Sequence, residues 1–110
     1  MWINLTNEEQ LQEIKEKSTA RAQLIFKHST RCAISSMAKN RLNRSPKPEG
    51  IDFYVLDLIK HRDISNKVSS EFNVYHESPQ VLVIKNGESV YDQSHSGIDM
   101  EEITTYASSA

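Results

Sequence analysis

The most informative stretch of this sequence is Ile25-Phe26-Lys27-His28-Ser29-Thr30-Arg31-Cys32-Ala33-Ile34-Ser35. An apolar, strand-like run ends within it, polar residues turn the chain, and a helical pattern begins. The N-terminus of a helix presents unpaired backbone N–H groups and a partial positive charge, both of which favour an anion. Arg31 adds a full positive charge beside Cys32. The sequence therefore predicts a reactive thiolate at Cys32.

Cys32 is the only cysteine of the chain, so no internal disulfide can form. Any redox chemistry must pass through a mixed disulfide with another molecule. The chain also begins without the basic and then apolar order of a signal peptide. A free thiol without an export signal predicts a protein of the reducing cytoplasm.

The length of 110 residues predicts one domain, spanning residues 1–110. Hydrophobic residues make up 37% and charged residues 25%, which is typical of a globular protein in water. The net charge of −2 argues against nucleic acid or an anionic membrane as partner. No apolar run approaches the roughly 20 residues that span a bilayer. No unusually apolar exposed face is indicated, so we expect a monomer.

The first half of the chain predicts two helices around one strand. A capping box at Thr6-Asn7-Glu8-Glu9 indicates a helix over about residues 7–17. The short apolar run at residues 22–26 is typical of a buried strand. After Cys32 a second helix is predicted to run to about residue 44, with a buried face made of Ile34, Met37, Ala38 and Leu42.

The second half predicts a strand, a helix, a hairpin and a closing helix. Asp63 is the expected N-cap of a helix that buries Ile64, Val68 and Phe72, and Asp99 begins a helix over about 99–108. Asn86-Gly87 between two hydrophobic runs is a strong hairpin signal, because both residues accept positive φ. The strands are expected at residues 51–57, 80–85 and 88–92. Helices alternating with strands require some parallel pairing, so the predicted fold class is a three-layer α/β/α domain with a mixed sheet of about four strands.

Two separated motifs resemble the monothiol bacilliredoxins, a family with the thioredoxin fold that is also described as bacillithiol-system redox-active or general stress proteins. The motifs are Phe26 to Ser35 and His76-Glu77-Ser78-Pro79-Gln80, and the resemblance covers about residues 20–100. In the thioredoxin fold the proline before the hairpin is cis and lies against the active cysteine. The family's usual run is Thr-Cys-Pro-Ile-Ser, whereas this chain has Arg31 and Ala33 at the first and third positions. We interpret these departures as tuning of the same site.

The resemblance implies a thiol-disulfide oxidoreductase in which Cys32 removes a small thiol such as bacillithiol from protein mixed disulfides. Ser35 stands where dithiol relatives carry a resolving cysteine, so its hydroxyl can donate to the thiolate but cannot resolve it. The implied partners are S-thiolated client proteins, the small thiol as co-substrate and a partner reductase. The candidate site consists of Cys32 as catalytic residue, of Arg31, Ser35 and His28 as thiol-tuning residues, and of Thr30, Ser78 and Pro79 as substrate-binding residues.

No cofactor or metal is expected. The histidines, His28, His61, His76 and His95, lie far apart and lack metal-ligand spacing.

Two functions of other classes stay open on the sequence. A domain that kept the fold and lost the chemistry would bind or scaffold other proteins, and its Cys32 would resist alkylation. An iron–sulfur carrier like the monothiol glutaredoxins would ligate a cluster through Cys32 and a small thiol. Those proteins carry a Cys-Gly-Phe-Ser run, which Ala33 and Ile34 do not match.

Overall fold

A mixed β-sheet forms the centre of the protein in the computed structural model, which describes residues 2–109. Within these residues the sheet has five strands in the spatial order β1-β3-β2-β4-β5. Strands β1, β3 and β2 are parallel, while β4 runs antiparallel to β2 and β5 antiparallel to β4. The strands are β1 (Ile3–Asn4), β2 (Ala22–His28), β3 (Ile51–Asp57), β4 (Gln80–Lys85) and β5 (Glu88–Ser94).

Helices cover both faces of this sheet. They are α1 (Glu8–Lys17), α2 (Ala33–Arg44), α3 (Arg62–Phe72) and α4 (Met100–Ser108). Helices α2 and α4 share one apolar core with Leu24 and Phe26 of β2, while α1 and α3 share the other core with Ile25 of the same strand. Neighbouring residues of β2 thus face opposite layers, as the alternation of a strand requires. The predicted three-layer α/β/α fold class is confirmed.

Several elements differ from the prediction, and β5 (Glu88–Ser94) extends two residues beyond the predicted 88–92. The two-residue strand β1 was not expected, and it exists because Ile3 and Asn4 pair with Tyr54 and Val55 of β3. Asn7 rather than Thr6 is the N-cap of α1, since its side-chain oxygen accepts the Gln10 N–H at 3.0 Å.

Helix α3 begins two residues earlier than predicted. His61 occupies its N-cap position, so Asp63 lies in the first turn rather than at the cap. A carboxylate there still favours the helix, because it faces the positive end of the helix dipole.

The buried face of α2 is rotated from the predicted one. Ala38 and Leu42 are buried as expected, but Ile34 and Met37 are 54% and 60% exposed. Ser35 takes the inward position instead, because residues 35, 38 and 42 follow the spacing of one helix face. An apolar pair therefore lies on the surface in the first turns of α2.

The remaining turn predictions are confirmed. Asn86 and Gly87 have φ values of 53° and 77°, as the hairpin turn between β4 and β5 requires. The Ser78–Pro79 peptide bond is cis. Asp99 is the N-cap of α4, and its carboxylate accepts the Glu102 N–H at 3.2 Å.

No helix among residues 2–109 is both long enough and apolar enough to cross a membrane.

Candidate thiol site

Cys32 lies at the junction between β2 and α2. It is the N-cap residue of α2, with φ −108° and ψ 121°, and its side chain makes no capping hydrogen bond. Its backbone N–H donates to the Ser29 carbonyl at 3.1 Å, which closes the turn that follows β2. The thiol is partly exposed. The N–H groups of the first helical turn are therefore left for an anion at the cysteine or for a ligand bound beside it.

A buried hydrogen-bond network beneath the turn fixes the segment that carries Cys32. The Ser35 hydroxyl is fully buried, accepts the Ser29 N–H at 2.9 Å and lies 2.6 Å from His28 Nδ1. The oxygen already accepts one bond, so donation of its proton to Nδ1 satisfies every member of the network. The Ser35 hydroxyl, which is predicted to donate to the Cys32 thiolate, therefore donates to His28 Nδ1 in this structure.

His28 is held in the neutral form. Its ring is buried and stacks on Phe26 with the ring centroids 5.5 Å apart. Burial lowers the pKa of His28 below its usual value, and the positive charge of Lys39 lowers it further, while Asp57 acts in the opposite direction. At neutral pH this imidazole acts as a hydrogen-bond acceptor for Ser35 rather than as a cation.

Arg31 and Thr30 occupy the exposed side of the same turn. Within residues 2–109 their side chains take part in no ion pair or hydrogen bond. The positive charge of Arg31 is therefore available to an anion that approaches Cys32.

The loop before β4 meets this turn at one edge of the sheet. Lys27 at the end of β2 pairs with Gln80 at the start of β4, so Pro79 and Ser78 lie at the edge from which the Cys32 turn leaves. The Gln80 side chain donates to the Tyr75 carbonyl at 2.9 Å and accepts the Glu77 N–H at 3.4 Å. The Ser78 hydroxyl is buried and has no hydrogen-bond partner among the described residues. The candidate residues from the two motifs thus share one edge.

Lys27 is a charged group that the sequence analysis did not single out. Its side chain is fully buried on the α3 side of β2, where Nζ donates to Ser69 Oγ at 2.8 Å and to His76 Nδ1 at 3.2 Å. Burial, reinforced by the positive charge of Arg62, lowers the pKa of Lys27 to about 8. The signal that could have found it is its place in a central strand, where both faces are covered.

No group of three or more His, Cys, Asp or Glu side chains within the described part of the chain is arranged to hold a metal ion.

Removal of the Ser35 hydroxyl is expected to lower the free energy of unfolding by about 1–3 kcal/mol, because Ser35→Ala leaves the partly buried Ser29 N–H and the buried His28 Nδ1 without partners. Urea denaturation measures the change. Ser36→Ala is the matched control: Ser36 is half-buried and no side-chain hydrogen bond of it is seen, so its change should stay within about 0.5 kcal/mol. Equal losses in the two variants would contradict the network.

Comparisons with known proteins agree with the fold and with the single candidate thiol described above. The family model for the monothiol bacilliredoxin BrxC matches residues 3–103. A solved structure described as a proposed oxidoreductase with a thioredoxin fold is 30% identical, with a TM-score of 0.83 over 94% of this chain and 91% of that one.

Two thioredoxins show the same fold at lower identity. That of Fasciola hepatica is 16% identical, with a TM-score of 0.76 over 96% of this chain and 99% of its own. That of Trypanosoma brucei brucei is 11% identical, with a TM-score of 0.77 over 96% of this chain and 88% of its own.

Proposed function

Because the chain belongs to the monothiol bacilliredoxin family, we propose that it removes a low-molecular-weight thiol such as bacillithiol from protein mixed disulfides. A monothiol redox protein with the thioredoxin fold has one sulfur with which to do this, Cys32. The observation that carries the proposal is the place of this sulfur, partly exposed at the N-cap of α2 and at the edge that also holds the loop of Pro79.

The proposed reaction is a thiol-disulfide exchange. The Cys32 thiolate attacks the small-thiol sulfur of the mixed disulfide, the bond between that sulfur and the client breaks, and the client cysteine leaves as a thiolate. Cys32 then carries the small thiol in a new disulfide. No net oxidation occurs in this step, because one disulfide is exchanged for another.

Regeneration of Cys32 requires an external thiol. Ser35 lies one helical turn from Cys32, and a hydroxyl cannot attack a disulfide as a thiolate does. A second small-thiol molecule, or the thiol of a partner reductase, attacks the small-thiol sulfur and releases the Cys32 thiolate. The co-substrate is thus the small thiol itself, and the need for a reduced thiol pool favours the cytoplasm as the place of reaction.

The test of the proposal is the covalent state of Cys32 after exposure to oxidised bacillithiol, followed by intact mass, together with release of a client protein from its bacillithiol mixed disulfide. We expect one adduct per chain, and alkylation of Cys32 at pH 7 faster than that of free cysteine. A thiol that forms no adduct and resists alkylation would overturn the proposal in favour of a scaffold.

An exposed apolar pair beside Cys32 supports a protein as substrate. Ile34 and Met37 lie one turn apart on α2, directly after Cys32, and both expose more than half of their side chains. Exposed apolar side chains of this kind are favourable contacts for a partner protein. We propose that the client docks against this exposed face of α2.

Replacement of both Ile34 and Met37 by serine is expected to lower kcat/KM about tenfold for a mixed disulfide with a folded client protein, and to leave kcat/KM for oxidised bacillithiol within about twofold. The reason is that only the protein substrate reaches beyond Cys32 to bury the pair. Comparison of the two substrates measures the effect. Val90→Ser on β5, which removes an apolar side chain that is 44% exposed, is the control. A parallel loss for both substrates would contradict docking on α2.

A further inference from the structure

The buried ammonium of Lys27 has no counter-charge among residues 2–109. An ammonium has three N–H donors, and at Lys27 two of them are used, by Ser69 and His76, both uncharged acceptors. Within residues 2–109 no carboxylate forms an ion pair with Lys27. Burial of an unpaired charge opposes folding, and groups that oppose folding concentrate at functional sites.

The hydrogen bond from Lys27 fixes how His76 presents its ring. An ammonium only donates, so His76 Nδ1 must accept, and the ring proton must then be on Nε2. Burial, with the charges of Lys27 and Arg62, lowers the pKa of His76, so the ring is neutral at pH 7 although Glu77 acts in the opposite direction. His76 therefore offers one N–H donor, polarised by the positive charge behind it.

A cavity of about 570 Å³ opens beside this ring, between the second half of α3 and the loop that follows it. We call it the α3 cavity. Its polar lining groups are the amides, hydroxyls and imidazole of Asn66, Ser69, Ser70, Asn73 and His76, and the rest of its lining comes from Val74 and Tyr75. Ser69 both lines the cavity and accepts from Lys27, so the buried charge lies directly behind the cavity wall.

The charges around the α3 cavity favour an anion. Lys27 and Arg62 are positive, and Arg62 forms no ion pair within the described part of the chain. Glu71, near the end of α3, is already paired: its carboxylate oxygens lie 2.7 Å from Lys15 Nζ and 3.9 Å from Lys67 Nζ. Glu77 alone opposes the two cations at His76. A bound anion would supply the counter-charge that Lys27 lacks.

We propose that the α3 cavity is a binding site for a small oxyanion, a carboxylate or a phosphate group, with His76 Nε2 as the principal donor and Lys27 as the buried charge that polarises it. The amides and hydroxyls of the lining suit further polar groups of the same ligand. The site lies next to the loop of Pro79, on the opposite side of the sheet from the α2 core.

The test is an NMR titration of the reduced protein with inorganic phosphate and, separately, with L-malate, both at constant ionic strength against sodium chloride. The readouts are the His76 imidazole nitrogens and the backbone amides of Asn66 and Asn73. We expect saturable shifts with at least one of the two anions. Saturation by phosphate alone identifies a phosphate ligand, and saturation by malate alone identifies a carboxylate ligand. Shifts that match those of sodium chloride, or that never saturate, overturn the proposal.

Variants then test the assigned roles. His76→Phe removes the donor from an exposed position and should weaken binding at least tenfold, whereas His76→Gln keeps an N–H donor and should retain most of it. Lys27→Met should weaken binding by a similar factor although His76 is intact. Lys47→Met, at an exposed lysine of the loop after α2, should change affinity less than about twofold. Full affinity in Lys27→Met or in His76→Phe would overturn the assignment.

Discussion

Replacement of Cys32 by serine is expected to lower the rate of small-thiol removal from a client protein at least about a thousandfold, to the rate of the small thiol alone. The chain has no second sulfur that could attack the disulfide. The hydroxyl of Ser35 is buried and bonded to His28 and Ser29, so it offers no substitute. Release of the client followed by intact mass, with reduced bacillithiol present in both reactions, measures the loss.

The same substitution carries its own control for folding. Serine is a better N-cap residue than cysteine, and Cys32 occupies the N-cap of α2 without making a capping hydrogen bond. We expect Cys32→Ser to unfold with a free energy equal to the native value or higher by about 0.5–1 kcal/mol. A loss of activity in a protein of unchanged stability then belongs to the sulfur. Turnover that survives in Cys32→Ser would contradict thiol-disulfide exchange as the chemistry of this site.

Most of the fold was predictable because it rests on local patterns. The hairpin follows from Asn86-Gly87, the start of α4 from Asp99, and the strand at residues 51–57 from its apolar run. Strand β1 was not predictable, because two residues carry no periodicity and their pairing with β3 is set by the tertiary structure. The helix pattern predicts Ile34 and Met37 as core residues although both are exposed, because periodicity does not show which face of a helix the sheet covers.

Only part of the candidate site could be predicted from the sequence. Cys32 and Pro79 stand in motifs that can be read along the chain. The partners of Lys27 cannot, since Ser69 and His76 are 42 and 49 residues away and meet it only through the packing of α3 on β2. A lysine next to an apolar strand run is ordinarily a solvated strand end. Here β2 is paired on both sides and covered by helices on both faces, so its last residues are buried as well.

Lys27→Met is expected to raise the free energy of unfolding at pH 7, against the usual direction of a buried substitution. The pKa of Lys27 falls from 10.5 to about 8 on folding, which corresponds to a cost of about 3 kcal/mol for the protonated form. Methionine fills a similar volume without a charge. Since the hydrogen bonds to Ser69 and His76 are lost as well, we expect a net gain of about 1–3 kcal/mol, measured by urea denaturation.

The gain from Lys27→Met should shrink as the pH rises, and this dependence identifies its cause. Below pH 8 the folded and unfolded chains both hold the proton, so the native protein bears the full cost of the buried ammonium. Between pH 8 and 10.5 the unfolded chain binds more protons than the folded one, so native stability rises with pH relative to the variant, by about 2–3 kcal/mol up to pH 10. Lys47→Met, which removes an exposed lysine, should follow the native curve throughout. The contradicting result is a Lys27→Met variant that is less stable than the native protein by the same amount at pH 7 and at pH 10. It would show that the ammonium is not desolvated. Lys27 would then have no role beyond folding.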